Sequence, residues 1–132
     1  MIFKSLLHIK RVLRIAGLKI MQKESTGSLL RIFIGESDKY EGKNLYRYLT
    51  NYLRKNEYAG ITVLRGITGF GKASIIHSSD LLELSSDLPI VIEITDTEEN
   101  IEKLKKAFGE TNMIGSALIT EEKVKIIKYG SE

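Results

Sequence analysis

The chain has no cysteine. That excludes a disulfide, a thiolate metal site and a thiol nucleophile, and it accords with the reducing cytoplasm, where we expect the protein to reside. Histidine occurs only as His8 and His77. A lone histidine with no cysteine or second close histidine is a poor metal site, so no metal is expected. No apolar run reaches the roughly 20 residues that cross a bilayer as a helix. Acids are missing from residues 1–20, which carry Lys4, Lys10, Arg11, Arg14 and Lys19. The remainder holds 15 Lys/Arg and 17 Asp/Glu, so the formal net charge of +3 arises entirely in that N-terminal segment. The globular part has no charge bias that points to nucleic acid, and no such partner is expected.

What is present suits one soluble domain: 132 residues, 42% apolar and 28% charged. Residues 1–28 read as a basic extension and leader, with residues 29–132 as the domain. Phe3, Leu6, Leu7, Leu13 and Ile20 among basic residues give residues 1–20 a roughly amphipathic, helical pattern. Three readings stay open. The segment is a membrane-surface or partner-binding helix, with any membrane contact indirect; it is an ordinary basic extension; or it lies upstream of a true start at Met21. Residues 22–28 read as a flexible leader.

Leu29 to Glu36 alternates as a strand and Ser37-Asp38-Lys39 as a turn. The spacing of Leu45, Tyr48, Leu49, Tyr52 and Leu53 predicts a helix over about 42–57. Its tyrosines at this spacing read as packing residues with the hydroxyl at the rim, rather than as a stacking surface for bases. Strands are expected at Gly60 to Leu64 and Leu88 to Thr95, with Pro89, the single proline, near a strand start where its missing N–H matters least. Asp96 and Thr97 are caps for a helix reaching Phe108, with Gly109 as its stop. Two short strands, Ile114 to Thr120 and Val124 to Tyr129, are expected around a turn at Glu121-Glu122.

This order predicts an α+β, ferredoxin-like βαββαβ sandwich with an extra C-terminal strand, helices on one face of an antiparallel sheet. One sheet face carries Leu30, Ile32, Ile34, Ile61, Val63, Ile90, Ile92, Ile94 and Ile126. The other mixes Phe33, Leu64, Val91, Ile127 and Tyr129 with Arg31, Thr62, Glu93 and Lys125. An apolar centre with a polar rim suits an interface. A homo-oligomer, most simply a closed ring, is expected.

The stretch from Arg65 to Pro89 is a longer connection than a compact domain keeps without a use. It opens on Gly66-Ile67-Thr68-Gly69-Phe70-Gly71-Lys72. Glycines let a ligand approach the backbone N–H groups, and Arg65, Lys72, Lys125 and Lys128 offer cations for an anion. A tight turn and nothing more is the competing reading. The pattern is neither a Walker A loop nor a Rossmann fingerprint, because strand follows it rather than helix. His77, Ser78 and Asp80 share one loop without the rigid frame a triad needs, so no catalytic residues are assigned.

The runs Gly60 to Ile67, Gly69-Phe70-Gly71, Leu88 to Glu93 and Leu118-Ile119-Thr120 resemble the DUF190 (UPF0166) family over about residues 29–129. That family in turn resembles the PII signalling proteins, trimeric ferredoxin-like regulators that bind adenine nucleotides in subunit clefts and touch targets through a long loop. PII chains begin their loop with Gly-Phe-Gly-Arg, where Gly69-Phe70-Gly71-Lys72 stands here, and return through Leu-Pro, as Leu88-Pro89 does. Thr62 falls near their adenine-lining threonine, with one residue more before Gly69. Ile114-Gly115 keeps the start of their second phosphate loop without its lysine, and Lys125 and Lys128 stand where they carry arginines. The resemblance implies a trimeric regulator. Its ligand would be an adenine nucleotide or similar small anion at Thr62, Arg65, Gly66, Gly69, Phe70, Gly71, Lys72, Lys125 and Lys128, and a protein partner would dock on the loop 68–88. A ligand-free oligomeric adaptor is the alternative, and a small enzyme using His77 a further one.

Overall fold

The computed structural model describes residues 10–15, 18–71 and 87–131. They belong to two compact units, Ser28–Glu122 and Met1–Gly27 with Lys123–Glu132. The strands are β1 (Lys10–Ile15), β2 (Leu18–Gly35), β3 (Lys39–Tyr40), β4 (Lys43–Asn44), β5 (Ile61–Arg65), β6 (Pro89–Asp96) and β7 (Leu118–Ser131); the helices are α1 (Leu45–Lys55) and α2 (Glu98–Thr111).

In the larger unit β2, α1, β5, β6, α2 and β7 follow the ferredoxin-like order. β6 lies between β2 and β5, antiparallel to both, and β7 pairs β2. Register places Leu30, Ile32 and Ile34 opposite Ile94, Ile92 and Ile90. These six side chains are buried, together with Leu45, Leu49 and Leu53 of α1, Ile101, Leu104 and Phe108 of α2, and Met113. The period of two in the strands meets the three-to-four period of the helices, and both stripes close on one core. Tyr46, Tyr48 and Tyr52 pack partly buried against it, as their spacing predicts.

Side-chain chemistry fixes the element ends. Asn44 Oδ1 accepts from Arg47 N at 3.4 Å and starts α1 later than the spacing suggests. Just before it, Glu41 and Gly42 both take positive φ, 50° and 75°, the geometry of a two-residue hairpin between β3 and β4. Thr97 caps α2 by accepting from Asn100 N at 3.1 Å. Gly109 does not stop that helix; it continues to Thr111 and ends at Asn112, in the left-handed region at φ 55° that asparagine tolerates.

Two expectations are corrected. The turn at Glu121-Glu122 does not form, and β7 runs unbroken through it. Both carboxylates have partners that suit an extended chain: Glu121 accepts from Ser28 Oγ at 3.3 Å and Lys105 Nζ at 2.6 Å, and Glu122 from Arg31 Nη1 at 2.6 Å.

The second correction lies in the smaller unit, where residues 10–15 and 18–20 are strand rather than part of an amphipathic helix; residues 1–9 lie outside the described residues. β1 pairs antiparallel with the start of β2, Ile15 opposite Leu18 and Lys10 opposite Lys23. Val12, Ile15 and Ile20 are β-branched, which favours the extended chain over the helix. Residues 22–28 are likewise strand, not a loose leader. In this unit Lys125 Nζ lies 4.0 Å from Glu24.

Candidate functional site

The ends of β5 and β6 carry the two stems of the long loop, and a set of short bonds ties each stem to a neighbour. Gly66 N–H donates to Pro89 O at 2.7 Å, joining the outgoing stem to the returning one. Glu36 N–H donates to Leu88 O at 2.8 Å and Ser37 N–H to Asp87 Oδ1 at 3.0 Å, joining the returning stem to the turn after β2. That turn is braced from within: Gly35 N–H donates to Asp38 Oδ2 at 2.9 Å and Asn44 Nδ2 to Glu36 O at 3.1 Å. Arg65 pairs with Glu36, closing the ring of contacts.

Packing explains one glycine. A Cβ on Gly66 would lie 2.7 Å from Pro89 Cγ, closer than any real contact. A Cβ on Gly69 would lie 3.2 Å from the same atom. Glycine at 66 therefore answers a backbone approach to a stiff ring. Residues 67–71 are exposed. Ile67 and Phe70 are 87% and 74% exposed. Among the described residues, the N–H groups of residues 67–71 make no hydrogen bond.

Of the residues singled out from sequence, the structure gathers Arg65, Gly66, Gly69, Phe70 and Gly71 at this end of the sheet. Thr62 is farther back on β5, exposed and opposite Glu93. Lys125 and Lys128 are exposed residues of the smaller unit. Lys72 and the His77-Ser78-Asp80 group lie outside the described residues. Sequence reading passes over Glu36 and Asp87, whose carboxylates anchor the stems. Asp87 stands two residues before Pro89, but Glu36 lies about 30 residues before the loop, so no local sequence signal joins the two.

The sheet face opposite the helices adjoins this end. There Phe33 and Leu64 stand on either side of Val91, and Arg31 and Thr62 on either side of Glu93. Arg31 Nε donates to Glu93 at 2.8 Å. Its hydrogen bond to Glu122, and then that to Glu93, raise the guanidinium pKa above its ordinary value. Phe33 and Leu64 are 38% and 47% exposed.

Comparison with known proteins identifies the lineage. Residues 27–126 match the family DUF190, described as "Uncharacterized ACR, COG1993". The chain belongs to the DUF190 family. A UPF0166 protein of Aquifex aeolicus is 42% identical over 99 residues, 75% of this chain and 91% of the relative. A UPF0166 protein of Methanocaldococcus jannaschii is 35% identical over 94 residues, 70% of this chain and 86% of the relative. Among solved structures the DUF190 chain is similar to CPII of Thiomonas intermedia, a nitrogen regulatory PII-like protein. Its apo form aligns at TM-score 0.53 and 17% identity, over 81% of this chain and 98% of that one. The form bound to ADP and bicarbonate aligns at TM-score 0.57 and 18% identity, over 79% and 91%. This DUF190 chain therefore has the PII-like, ferredoxin-like α+β fold.

Among the described residues no group of three or more His, Cys, Asp or Glu is placed to hold a metal ion, and no helix is long and apolar enough to cross a membrane.

Proposed function

We propose that the protein is a PII-like regulator that closes with copies of itself, most simply as a cytoplasmic trimer. In this reading it binds an adenine nucleotide or similar small anion beside the start of its long loop. The observation that carries the reading is the contrast at the loop's outgoing stem. Up to Gly66 the backbone is bonded and packed against Pro89; from residue 67 to 71 it offers N–H donors that the described protein leaves unused. A fixed base beside N–H donors that the described residues leave unused would suit an anion. Phe70 supplies an exposed ring at the same place, and Arg65, more than half exposed beside Glu36, retains further donors.

Thr62, Arg65, Gly66, Gly69, Phe70, Gly71 and Lys72 form the proposed site. The loop 68–88 is the proposed contact for a protein partner, since ligand on its stem would bias its conformation. Support from relatives is the fold alone, together with the ADP and bicarbonate bound by CPII of Thiomonas intermedia.

Titration calorimetry of the full chain against AMP, ADP, ATP, a cyclic adenine nucleotide and bicarbonate tests the reading. Saturable heat with at least one of these, weakened about tenfold or more by Lys72→Ala, is expected. Silence across the panel, or binding indifferent to both Lys72→Ala and Arg65→Gln, overturns it.

A further inference from the structure

The described cations of the larger unit, all but Lys72, divide into two sets. Arg31, Arg65, Lys103, Lys105 and Lys106 each have a carboxylate within 4.0 Å. Lys39, Lys43, Arg47, Arg54 and Lys55 make no ion pair among the described residues. All five lie on β3, β4 and α1, and between residues 39 and 56 the sole acid is Glu41. The unit as a whole is acidic, with 11 Lys/Arg against 15 Asp/Glu, a formal net charge of −4. One helix face therefore holds unpaired positive charge on an otherwise negative body.

That face is also shaped. Arg47, Asn51 and Lys55 recur every four residues, a row rising about 6 Å per step along α1, with Lys43 just before it on β4. With Tyr48 and Tyr52 beside them they line an open groove of about 450 Å³. The rings of Tyr48 and Tyr52 are stacked on each other, 6.5 Å apart at 19°, and Tyr40 meets Tyr48 edge-on at 4.8 Å. All three rings are half-buried and pack against the core.

These features select a ligand class. The charges are spread along the groove rather than converging on one point, so a single phosphate would engage only part of them. Nucleic-acid strands bind where bases find open aromatic faces and the phosphates a positive surround; here the rings are half-buried and the unit around the basic row is net negative. A segment with carboxylates strung along an extended or helical backbone matches the spacing and the sign, and asparagine and tyrosine tips suit its polar backbone. We propose that the α1 groove docks an acidic peptide segment of a partner protein, with its carboxylates on Lys43, Arg47 and Lys55. The inference is independent of ligand binding at the loop stem, because no residue is shared between the two sites.

The test is amide chemical-shift mapping on the full-length, isotope-labelled protein with octaglutamate as probe, octaglutamine as neutral control and octathymidylate as nucleic-acid control. Expected are shifts centred on residues 43–56, including the Asn51 side-chain amide, which weaken with added salt and are absent with octaglutamine. The combined variant Lys43→Gln, Arg47→Gln and Lys55→Gln should raise the apparent dissociation constant at least about tenfold. All three side chains are exposed, so an unchanged thermal midpoint is expected and serves as the folding control. Shifts centred elsewhere, no shifts, an unaffected triple variant, or tighter binding of octathymidylate than of octaglutamate would each overturn the proposal.

Discussion

The two faces of one pair of strands make opposite use of similar residues. Along β2 and β6, Ile32 and Ile92 point to the helices and are fully buried, while Phe33 and Val91, one position along, look the other way and remain partly exposed. Alternation alone separates them. The helix-covered face is closed by α1 and α2 and supplies the core of the larger unit. The other face has apolar residues in its middle row, Phe33, Val91 and Leu64, beside the ion-paired row of Arg31 and Glu93. Folding of the single chain uses the first face; the second keeps apolar area available for association.

The largest expected effect separates the faces at neighbouring positions. Ile92→Ala should lower unfolding stability by about 2–5 kcal/mol, and Val91→Ala by no more than about 1 kcal/mol, read from urea titrations under conditions where the chain is monomeric. Equal losses would dissolve the contrast. Next comes a polar residue on the buried side. Asp96 accepts from Ala59 N at 2.9 Å, Thr97 N at 2.7 Å and Asn100 Nδ2 at 2.9 Å. Asp96→Ala leaves those donors without it and should cost about 1–3 kcal/mol by the same measurement.

On the open face, Leu64→Glu should change monomer unfolding by no more than about 0.5 kcal/mol, yet shift sedimentation velocity toward a smaller species. An unaltered sedimentation coefficient would separate this face from assembly. The smallest effect is confined to alkaline pH. Burial, then Tyr52 and Asp96, raise the Tyr58 phenol pKa. A raised folded value contributes stability that is fully present below the unfolded value, about 10, and lost as pH rises through the folded one. Stability should therefore be flat near neutrality and fall above about pH 10. Tyr58→Phe should make that fall shallower in denaturant midpoints measured from pH 8 to 11.

Much of this contrast is legible in the residue pattern alone. Leu30, Ile32, Ile34, Ile90, Ile92 and Ile94 alternate cleanly, and every one is buried as expected. The helices follow from apolar spacing, with Thr97 as a cap for the second. What the pattern does not carry is decided by partners remote in sequence. Glu121 and Glu122 resemble a turn until Lys105, Ser28 and Arg31 are brought beside them, and β7 then stays extended. The start of β2 is strand because it pairs with the adjoining β1, Ile15 opposite Leu18, a pairing that the helical reading of the apolar spacing does not report. At the candidate site the glycines and Phe70 stand out, but Asp87 and Glu36 do not, since their role depends on bonds that close only in the fold.

The contact between Gly66 and the Pro89 ring bears on how such chains drift over generations. Position 66 has no room for a methyl while the ring is in place, so the two sites cannot vary independently. A relative that acquires a side chain at the first must have lost the ring at the second, or must hold its loop base apart in some other way.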